Sequence, residues 1–357
     1  MQFSEEIIAR HMRPITGSAI REIFKLLGKP GMISFAGGNP SNAALEPEVI
    51  SEIAREALGK YGAQLLQYGA TEGFGPFLES AREFLKGAGV SAGPGELLPV
   101  QGGSQAWDLL LKAVIEPGDA ILAESPTFLG ALQAMRTYNA AVIPIATDDR
   151  GAIPEDVEEK IRKHRPKLLY VIPTFQNPTG VTLSLERRRA LAELANRYGV
   201  VLAEDDPYRD LRFSGEPLPT IKSFDENGWV VYMSSFSKYV APGLRLGAVV
   251  ANPVLLRKMT IGKQSADVHS PLLIQAIVDG YLRKGLMPAH LERICADYRR
   301  QLGAMLNGFR YFPEGTRNTS PEGGLFVWAE LPEGKNAREL LETAVAKNVA
   351  YVPGTFF

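Results

Sequence analysis

A lysine set among hydroxyls, with a fixed cation close behind it, is the part of this sequence best suited to covalent chemistry. Lys238 lies in Ser234-Ser235-Phe236-Ser237-Lys238-Tyr239-Val240-Ala241-Pro242-Gly243-Leu244-Arg245, directly after the apolar run Trp229–Met233. An amine attacks a carbonyl when its surroundings hold part of it neutral, and a second cation nearby has that effect. The serines and the Arg245 guanidinium also suit a phosphate. A lysine beside a phosphate site has the sequence shape of a pyridoxal-phosphate (PLP) Schiff base. On its own, a solvated surface lysine in a chance Ser-x-Ser-Lys would read the same way.

Four further polar clusters offer the remaining parts. Gly103-Ser104-Gln105 opens a predicted helix, where free N–H groups and a hydroxyl make a phosphate cradle; a Gly turn followed by a Ser N-cap has the same sequence. Phe128, in Glu124-Ser125-Pro126-Thr127-Phe128, either stacks on a flat aromatic cofactor or packs as a core aromatic. Asn177, in Pro173-Thr174-Phe175-Gln176-Asn177-Pro178-Thr179-Gly180, is held extended by the proline. Its amide either donates to a phenolate oxygen or closes an Asx-type turn. Asp205 directly follows an apolar run, and a carboxylate at that depth needs a partner. A pyridinium nitrogen is such a partner. Asp206 competes for the role, and Asp205 is preferred as the nearer to the strand. Tyr208 either hydrogen-bonds the same phenolate oxygen or is a surface-loop tyrosine.

The clusters share a position in the predicted architecture. Apolar runs recur at Leu97–Val100, Ala120–Ala123, Ala141–Ile145, Leu168–Ile172, Val200–Ala203, Val230–Met233 and Leu246–Ala251. Helical patterns such as Gln105–Ile115, Phe128–Tyr138, Pro154–Lys163 and Leu185–Tyr198 separate most of them. This alternation predicts an α/β fold with a mixed, mostly parallel seven-stranded sheet flanked by helices. Ligands of such sheets bind at the carboxyl ends of the strands, and the five polar clusters fall at five of those ends. The opposite ends, Glu116-Pro117-Gly118-Asp119 and Asn196-Arg197-Tyr198-Gly199, read as ordinary turns. From Ser235 to Leu246 the span is too short for a helical crossover, so Leu246–Ala251 is predicted to run antiparallel to its predecessor.

Outside this core, helical spacing over residues 18–27 has Ser18 as an N-cap. Ile33–Pro40 is a short extended run ending in Gly37-Gly38, which either simply turns or lets the backbone approach a ligand. Helices are expected at Pro47–Lys60 and Phe77–Lys86, with a glycine-punctuated loop around Tyr68 between them. After Pro253 helices dominate, at Val254–Met259, Pro271–Lys284 and Ala289 to about Phe309, followed by a strand-like Gly324–Glu330 and a helix at Ala337–Lys347. The domain reading is an N-terminal arm with part of a small domain over 1–44, a large PLP-binding domain over 45–288, and a C-terminal small α+β domain over 289–357.

Composition excludes several classes. Lys and Arg number 39 against 40 Asp and Glu, for a net charge of −1, which argues against nucleic acid or a polybasic membrane surface as the partner. Cys295 is the single cysteine, so no disulfide framework or cysteine metal site is expected. His11, His164, His269 and His290 lack ligand spacing. No P-loop, dinucleotide fingerprint or Gly-x-Ser-x-Gly elbow occurs. Met1–Pro14 lacks a signal-peptide core, and no apolar stretch is long enough to span a bilayer. The expected compartment is the cytoplasm.

With these residues in hand, the chain resembles the fold-type I PLP-dependent aminotransferases nearly end to end. Asn177-Pro178-Thr179-Gly180, Asp205-x-x-Tyr208, Ser235-Phe236-Ser237-Lys238 and Pro242-Gly243-Leu244-Arg245 occur in the family's order and spacing. Ser18-x-Ile20-Arg21-Glu22, Ile33-Ser34-Phe35-Ala36-Gly37-Gly38, Gln67-Tyr68-Gly69 and Phe175-Gln176-Asn177 make it most similar to the 2-aminoadipate and kynurenine aminotransferase (LysN-like) group. The resemblance implies that Lys238 binds PLP and shuttles the substrate proton. It implies that Asp205 pairs with the pyridine nitrogen and that Asn177 and Tyr208 contact O3′. Gly103, Ser104, Gln105, Ser235, Ser237 and Arg245 would hold the phosphate, and Phe128 would stack on the ring. It further implies a homodimer in which Tyr68 reaches the partner's phosphate. Ser18 and Arg21, on a mobile N-terminal helix, would meet the substrate together with Gly38 and Asn177. The implied reaction moves an amino group from 2-aminoadipate, an aromatic or a large aliphatic amino acid to a 2-oxo acid such as 2-oxoglutarate.

One departure stands out. The family pattern has an arginine shortly after Val352-Pro353-Gly354 that clamps the substrate α-carboxylate, and the sequence given stops at Phe357. Either the sequence is a truncation or the ordered part ends there; if 357 residues were the whole protein, PLP binding is expected to survive and transamination to be badly impaired. The alternatives are another fold-type I PLP enzyme (lyase, decarboxylase or racemase) or the effector domain of a PLP-dependent transcription regulator. Against the regulator, residues 1–30 are too short and too weakly basic for a winged helix.

Overall fold

The computed structural model describes residues 5–15 and 31–357. The expected helix over 18–27, with Ser18 and Arg21, lies outside the described residues. A short strand β1 (Ile33–Ser34) leads into helices α1 (Pro47–Tyr61) and α2 (Gly75–Lys86). Strands β2 (Leu97–Val100), β3 (Ala120–Glu124), β4 (Ala141–Ile145), β5 (Leu168–Val171), β6 (Val201–Asp205), β7 (Val230–Ser235) and β8 (Gly247–Val250) follow. Helices α3 (Gly103–Val114), α4 (Leu129–Thr137), α5 (Pro154–His164) and α6 (Leu185–Tyr198) connect successive members of this series. Their boundaries have local causes: on α6, the Ser184 hydroxyl accepts the Arg187 N–H at the start, and Gly199 ends the helix at φ +65°, where glycine bears no Cβ penalty.

The seven strands β2–β8 form one sheet in the order β2-β8-β7-β6-β5-β3-β4. It is parallel except for β8, which is antiparallel to both neighbours. Alternation along the strands divides the core. Tyr170, Ala203 and Val231 face the layer containing Trp107, Leu109 and Leu110 of α3, and Leu169, Leu202 and Val230 face the layer containing Ile161 and Leu191 of α5 and α6. The reversed strand shapes the rim. Gly247 stands opposite both Val100 and Ser235, so the residues just before β8, Arg245 included, arrive at the carboxyl ends of its parallel neighbours.

Beyond the sheet come α7 (Pro253–Asp267), α8 (Leu272–Arg283), α9 (Met287–Gly308), α10 (Ala337–Ala346) and β9 (Val349–Ala350), which pairs in parallel with β1. Helix α7 runs eight residues past the Met259 expected from periodicity. Gly262 interrupts the apolar pattern, yet a Cβ there would lie 3.2 Å from Lys112 on α3, so the glycine marks a close helix–helix approach. The strand expected over Gly324–Glu330 shortens to Ala329–Glu330. Gly323 and Gly324 instead close around the Phe175 ring, where a Cβ on either would come within 2.5 Å of Phe175 atoms, and Gly324 N–H bonds the Leu211 carbonyl at 2.8 Å. Among the described residues no helix is long and apolar enough to cross a membrane, and no group of three or more His, Cys, Asp or Glu could hold a metal ion.

Candidate active site

Strand β7 delivers Lys238 to the rim. Ser234 and Ser235 end it buried and paired with β8, and the backbone then turns so that Lys238 Nζ donates to the Gly38 carbonyl at 2.6 Å. Burial, and then the positive charge of Arg245, push the Lys238 amine down to about 8. Arg245, with φ +49°, donates from Nη1 to Ser237 Oγ at 3.3 Å and from Nη2 to the Gln101 carbonyl at 3.1 Å. Gly102 makes room for it: a Cβ there would fall 2.7 Å from Arg245 Nη2, and φ is +77°. Gly102 is also the N-cap of α3, so the Ser104 hydroxyl, two residues on, is exposed rather than capping. Gly103 and Ser104 present the first two N–H groups of the helix, which have no intrahelical acceptor. The Gln105 N–H bonds the Gly102 carbonyl and both ends of its amide are engaged by Gln101, Lys263 and Asp267, so its side chain supports the turn.

Asp205 and Asp206 separate by strand alternation. Asp205 lies on the face of Tyr170, whose hydroxyl donates to Asp205 Oδ2 at 2.6 Å. Gly103 lies against the other oxygen, where a Cβ would stand 3.7 Å from Oδ1. Burial raises the Asp205 carboxyl to about 6, the Asp206 charge adds to the rise, and the Tyr170 hydrogen bond opposes it. Asp206 points to the other face, where it accepts from the Tyr232 hydroxyl at 3.1 Å near Arg188. Glu204 shares that face and accepts the Ile221 and Lys222 N–H groups at 2.8 and 2.7 Å.

The β5 exit brings in Asn177, buried and in hydrogen-bonding reach of the Tyr208 phenol. Tyr208 is 5.6 Å, edge to face, from Phe326, and the Phe326 ring in turn covers Gly38, where a Cβ would meet it at 2.3 Å. Phe128 is half-buried at the start of α4, its ring folded over Gly130. Tyr68 stands apart, 80% exposed, with its ring edge-on to His269 at 6.0 Å. An amine poised near neutrality, a carboxylate oriented by a phenol, and a guanidinium beside a helix N-terminus therefore surround one rim.

Residues 30–357 match the family model described as aminotransferase class I and II. The chain belongs to this family. It is 42% identical to aromatic-amino-acid aminotransferase 1 of Thermococcus litoralis, over 99% of this chain and 86% of that protein. It is 39% identical to the 2-aminoadipate transaminase of Thermus thermophilus, over 95% and 85%. The crystal structure of Pyrococcus horikoshii kynurenine aminotransferase superposes with a TM-score of 0.94 at 39% identity, covering 99% of this chain and 89% of that one.

This aminotransferase is a PLP enzyme, and its residues fit the cofactor. Gly102 admits the Arg245 guanidinium beside the helix N-terminus and Gly103 leaves an Asp205 oxygen uncovered by any Cβ, which suits an anion at one end and a basic ring nitrogen at the other. Three contributors escaped sequence reasoning. Tyr170 reads as a core residue inside an apolar strand. Phe326 follows the Gly323-Gly324 doublet, which was the available signal. Gly102 precedes the predicted cradle, and only its positive φ and the arginine against it reveal its part.

Proposed function

We propose that this aminotransferase takes the amino group of 2-aminoadipate, an aromatic or a large aliphatic amino acid and delivers it to a 2-oxo acid such as 2-oxoglutarate. Lys238 is the residue that binds PLP and moves the substrate proton. The observation that supports this reading best is the Lys238 amine itself, half-buried, hydrogen-bonded to the Gly38 carbonyl at 2.6 Å and pushed down to about 8 by desolvation and the Arg245 charge, a base and nucleophile close to neutral pH. When bound, PLP supplies an electron sink for the charge left as the α-proton departs. Asp205 holds the ring nitrogen as an ion pair, and Tyr170 orients that carboxylate. Asn177 and Tyr208 hold the phenolate oxygen, and Phe128 covers a ring face. The N–H groups of Gly103 and Ser104, with Ser235, Ser237 and Arg245, hold the phosphate. Lys238 Nζ takes the proton from the substrate Cα.

Long donors are favoured on two grounds: the names of the relatives, and the Phe326 ring against Gly38 and Tyr208, an apolar wall beside the polar cluster. A panel of donors, scored by the glutamate formed from 2-oxoglutarate, is expected to rank 2-aminoadipate, aromatic amino acids or leucine above alanine by about tenfold or more. No glutamate from any donor would overturn the reading. The working unit in this proposal is a homodimer, with Tyr68 reaching the phosphate held by a second copy. The exposure of Tyr68 and Leu66, at 80% and 73%, supports this reading, since large apolar side chains left in solvent suit an interface. Sedimentation should give twice the chain mass, and a monomer with full activity would count against it.

A further inference from the structure

Behind the phosphate turn lies an ion pair, a buried lysine with a half-buried aspartate, that the roles above leave unused. Leu256, Met259 and Lys263 share the buried face of α7, and Lys263, at 0% exposure, stands where another apolar side chain would pack without a desolvation cost. Its Nζ donates to Asp267 Oδ1 and Oδ2 at 2.9 and 2.8 Å and to Gln105 Oε1 at 2.8 Å. Asp267 Oδ2 also accepts from Gln101 Nε2 at 2.5 Å and Gln105 Nε2 at 2.7 Å. Gln105 Oε1 accepts the Gln101 N–H at 2.8 Å. Every proton of the ammonium thus has an acceptor, and both glutamines that bracket Gly102-Gly103-Ser104 are fixed from the same helix. The Gln101 carbonyl is in turn the acceptor of Arg245 Nη2.

We propose that Lys263 and Asp267 are a positioning pair for the cofactor phosphate. They hold the turn from Gln101 to Gln105 so that the N–H groups of Gly103 and Ser104 and the Arg245 guanidinium converge on one anion. Neither side chain needs to touch the phosphate. Their leverage is geometric, because two amides anchored to one carboxylate leave the intervening glycines little freedom to drift. The inference rests on the PLP site described above and adds to it the part that sets its phosphate affinity.

The test compares pyridoxal 5′-phosphate with pyridoxal, which lacks the phosphate, in titrations of the full chain after its cofactor has been removed. Asp267→Asn and Lys263→Met each strand a charge, so the double variant Lys263→Met/Asp267→Asn, which removes both charges together, keeps the experiment open if a single variant does not fold. The expected result is a loss of about tenfold in affinity for pyridoxal 5′-phosphate, the size of one well-placed charged hydrogen bond, with pyridoxal affinity unchanged. The 31P resonance of the bound phosphate should also shift. Variants that keep wild-type affinity for pyridoxal 5′-phosphate, or that lose both compounds equally, overturn the positioning role. A wild-type protein that does not distinguish the two compounds overturns the phosphate site itself, and the positioning role with it.

Discussion

The Tyr170 hydroxyl donates to Asp205 Oδ2 over 2.6 Å, joining two residues on adjacent parallel strands that no sequence motif links. Tyr170 pairs in register with Ala203, two residues before Asp205 and therefore on the same face. The tyrosine is itself fixed by Trp107, whose ring centroid is 4.8 Å away. A hydrogen bond to the ionised carboxylate favours that form, so removing it raises the Asp205 pKa above its value of about 6. Tyr170→Phe should therefore move the acid limb of the pH–rate profile upward and lower kcat by about tenfold near pH 6–7. An unmoved acid limb would show that the phenol does not tune Asp205.

Lys238 should titrate near 8 in the cofactor-free protein. At that value roughly a tenth of the amine is neutral at pH 7, against well under a hundredth for an ordinary lysine. The rate of PLP uptake, followed by absorbance after mixing, is expected to rise with pH and level off above the inflection. Burial is the larger cause and the Arg245 charge the second. Arg245→Gln should accordingly move the inflection upward while weakening phosphate binding. Lys238→Ala should leave no chromophore that borohydride can fix to the protein.

Gly102→Ala places a methyl group 2.7 Å from Arg245 Nη2 in a backbone at φ +77°. At ψ 174° this is a conformation almost confined to glycine, costing an alanine about 1–3 kcal/mol, and the guanidinium must shift. Thermal unfolding should change by only a few degrees, whereas PLP affinity should fall by more than tenfold. Unchanged PLP affinity would mean that Arg245 is not a phosphate ligand.

Arg188 is fully buried and donates to the carbonyls of Leu183, Pro219 and Pro173 at 2.9, 3.0 and 2.7 Å, and to Thr174 Oγ1 at 2.9 Å. It stands opposite the buried carboxyls of Glu204 and Asp206, both raised by burial. Arg188→Met strands those acceptors and takes a cation from beside Glu204 and Asp206, leaving Arg209 at 3.8 Å from Asp206 as the remaining one, a loss of about 3–5 kcal/mol. Urea unfolding should report it as a lower midpoint, and PLP affinity should fall with it because Pro173 and Thr174 lead into Asn177.

Glu124 ends β3 fully enclosed, and burial lifts its carboxyl from 4.5 to about 8 despite the Ile172 N–H and Gln176 amide that donate to it. Between those two values the folded state holds a proton that the unfolded state has released, so the Glu124 contribution to stability falls as pH rises through this window. Glu124→Gln, which cannot ionise, should flatten the decline in unfolding free energy between pH 5 and 8 relative to the wild type. Parallel curves for the two proteins would assign the decline to other groups, the buried Glu204 and Asp206 first.

By itself the sequence determined the seven strands, most of the helices between them and the five polar strand ends, because periodicity and turn residues act over a few neighbours. It also determined the reversal of β8, since the span from Ser235 to Leu246 cannot hold a crossover helix. Tertiary structure alone decided the strand order, which places β8 between β2 and β7 and so carries Arg245 from after Lys238 to the Gly102 turn. It set the two aspartates apart, Asp205 beside Tyr170 and Gly103 and Asp206 beside Tyr232, because alternation says that they part company but not what each face holds. It also decided the supports: Tyr170 under Asp205, Phe326 over Gly38, and Lys263 with Asp267 behind Gln101 and Gln105. Each of these contacts joins residues far apart in the chain, and residue type and spacing carry no record of a neighbour that only folding brings near.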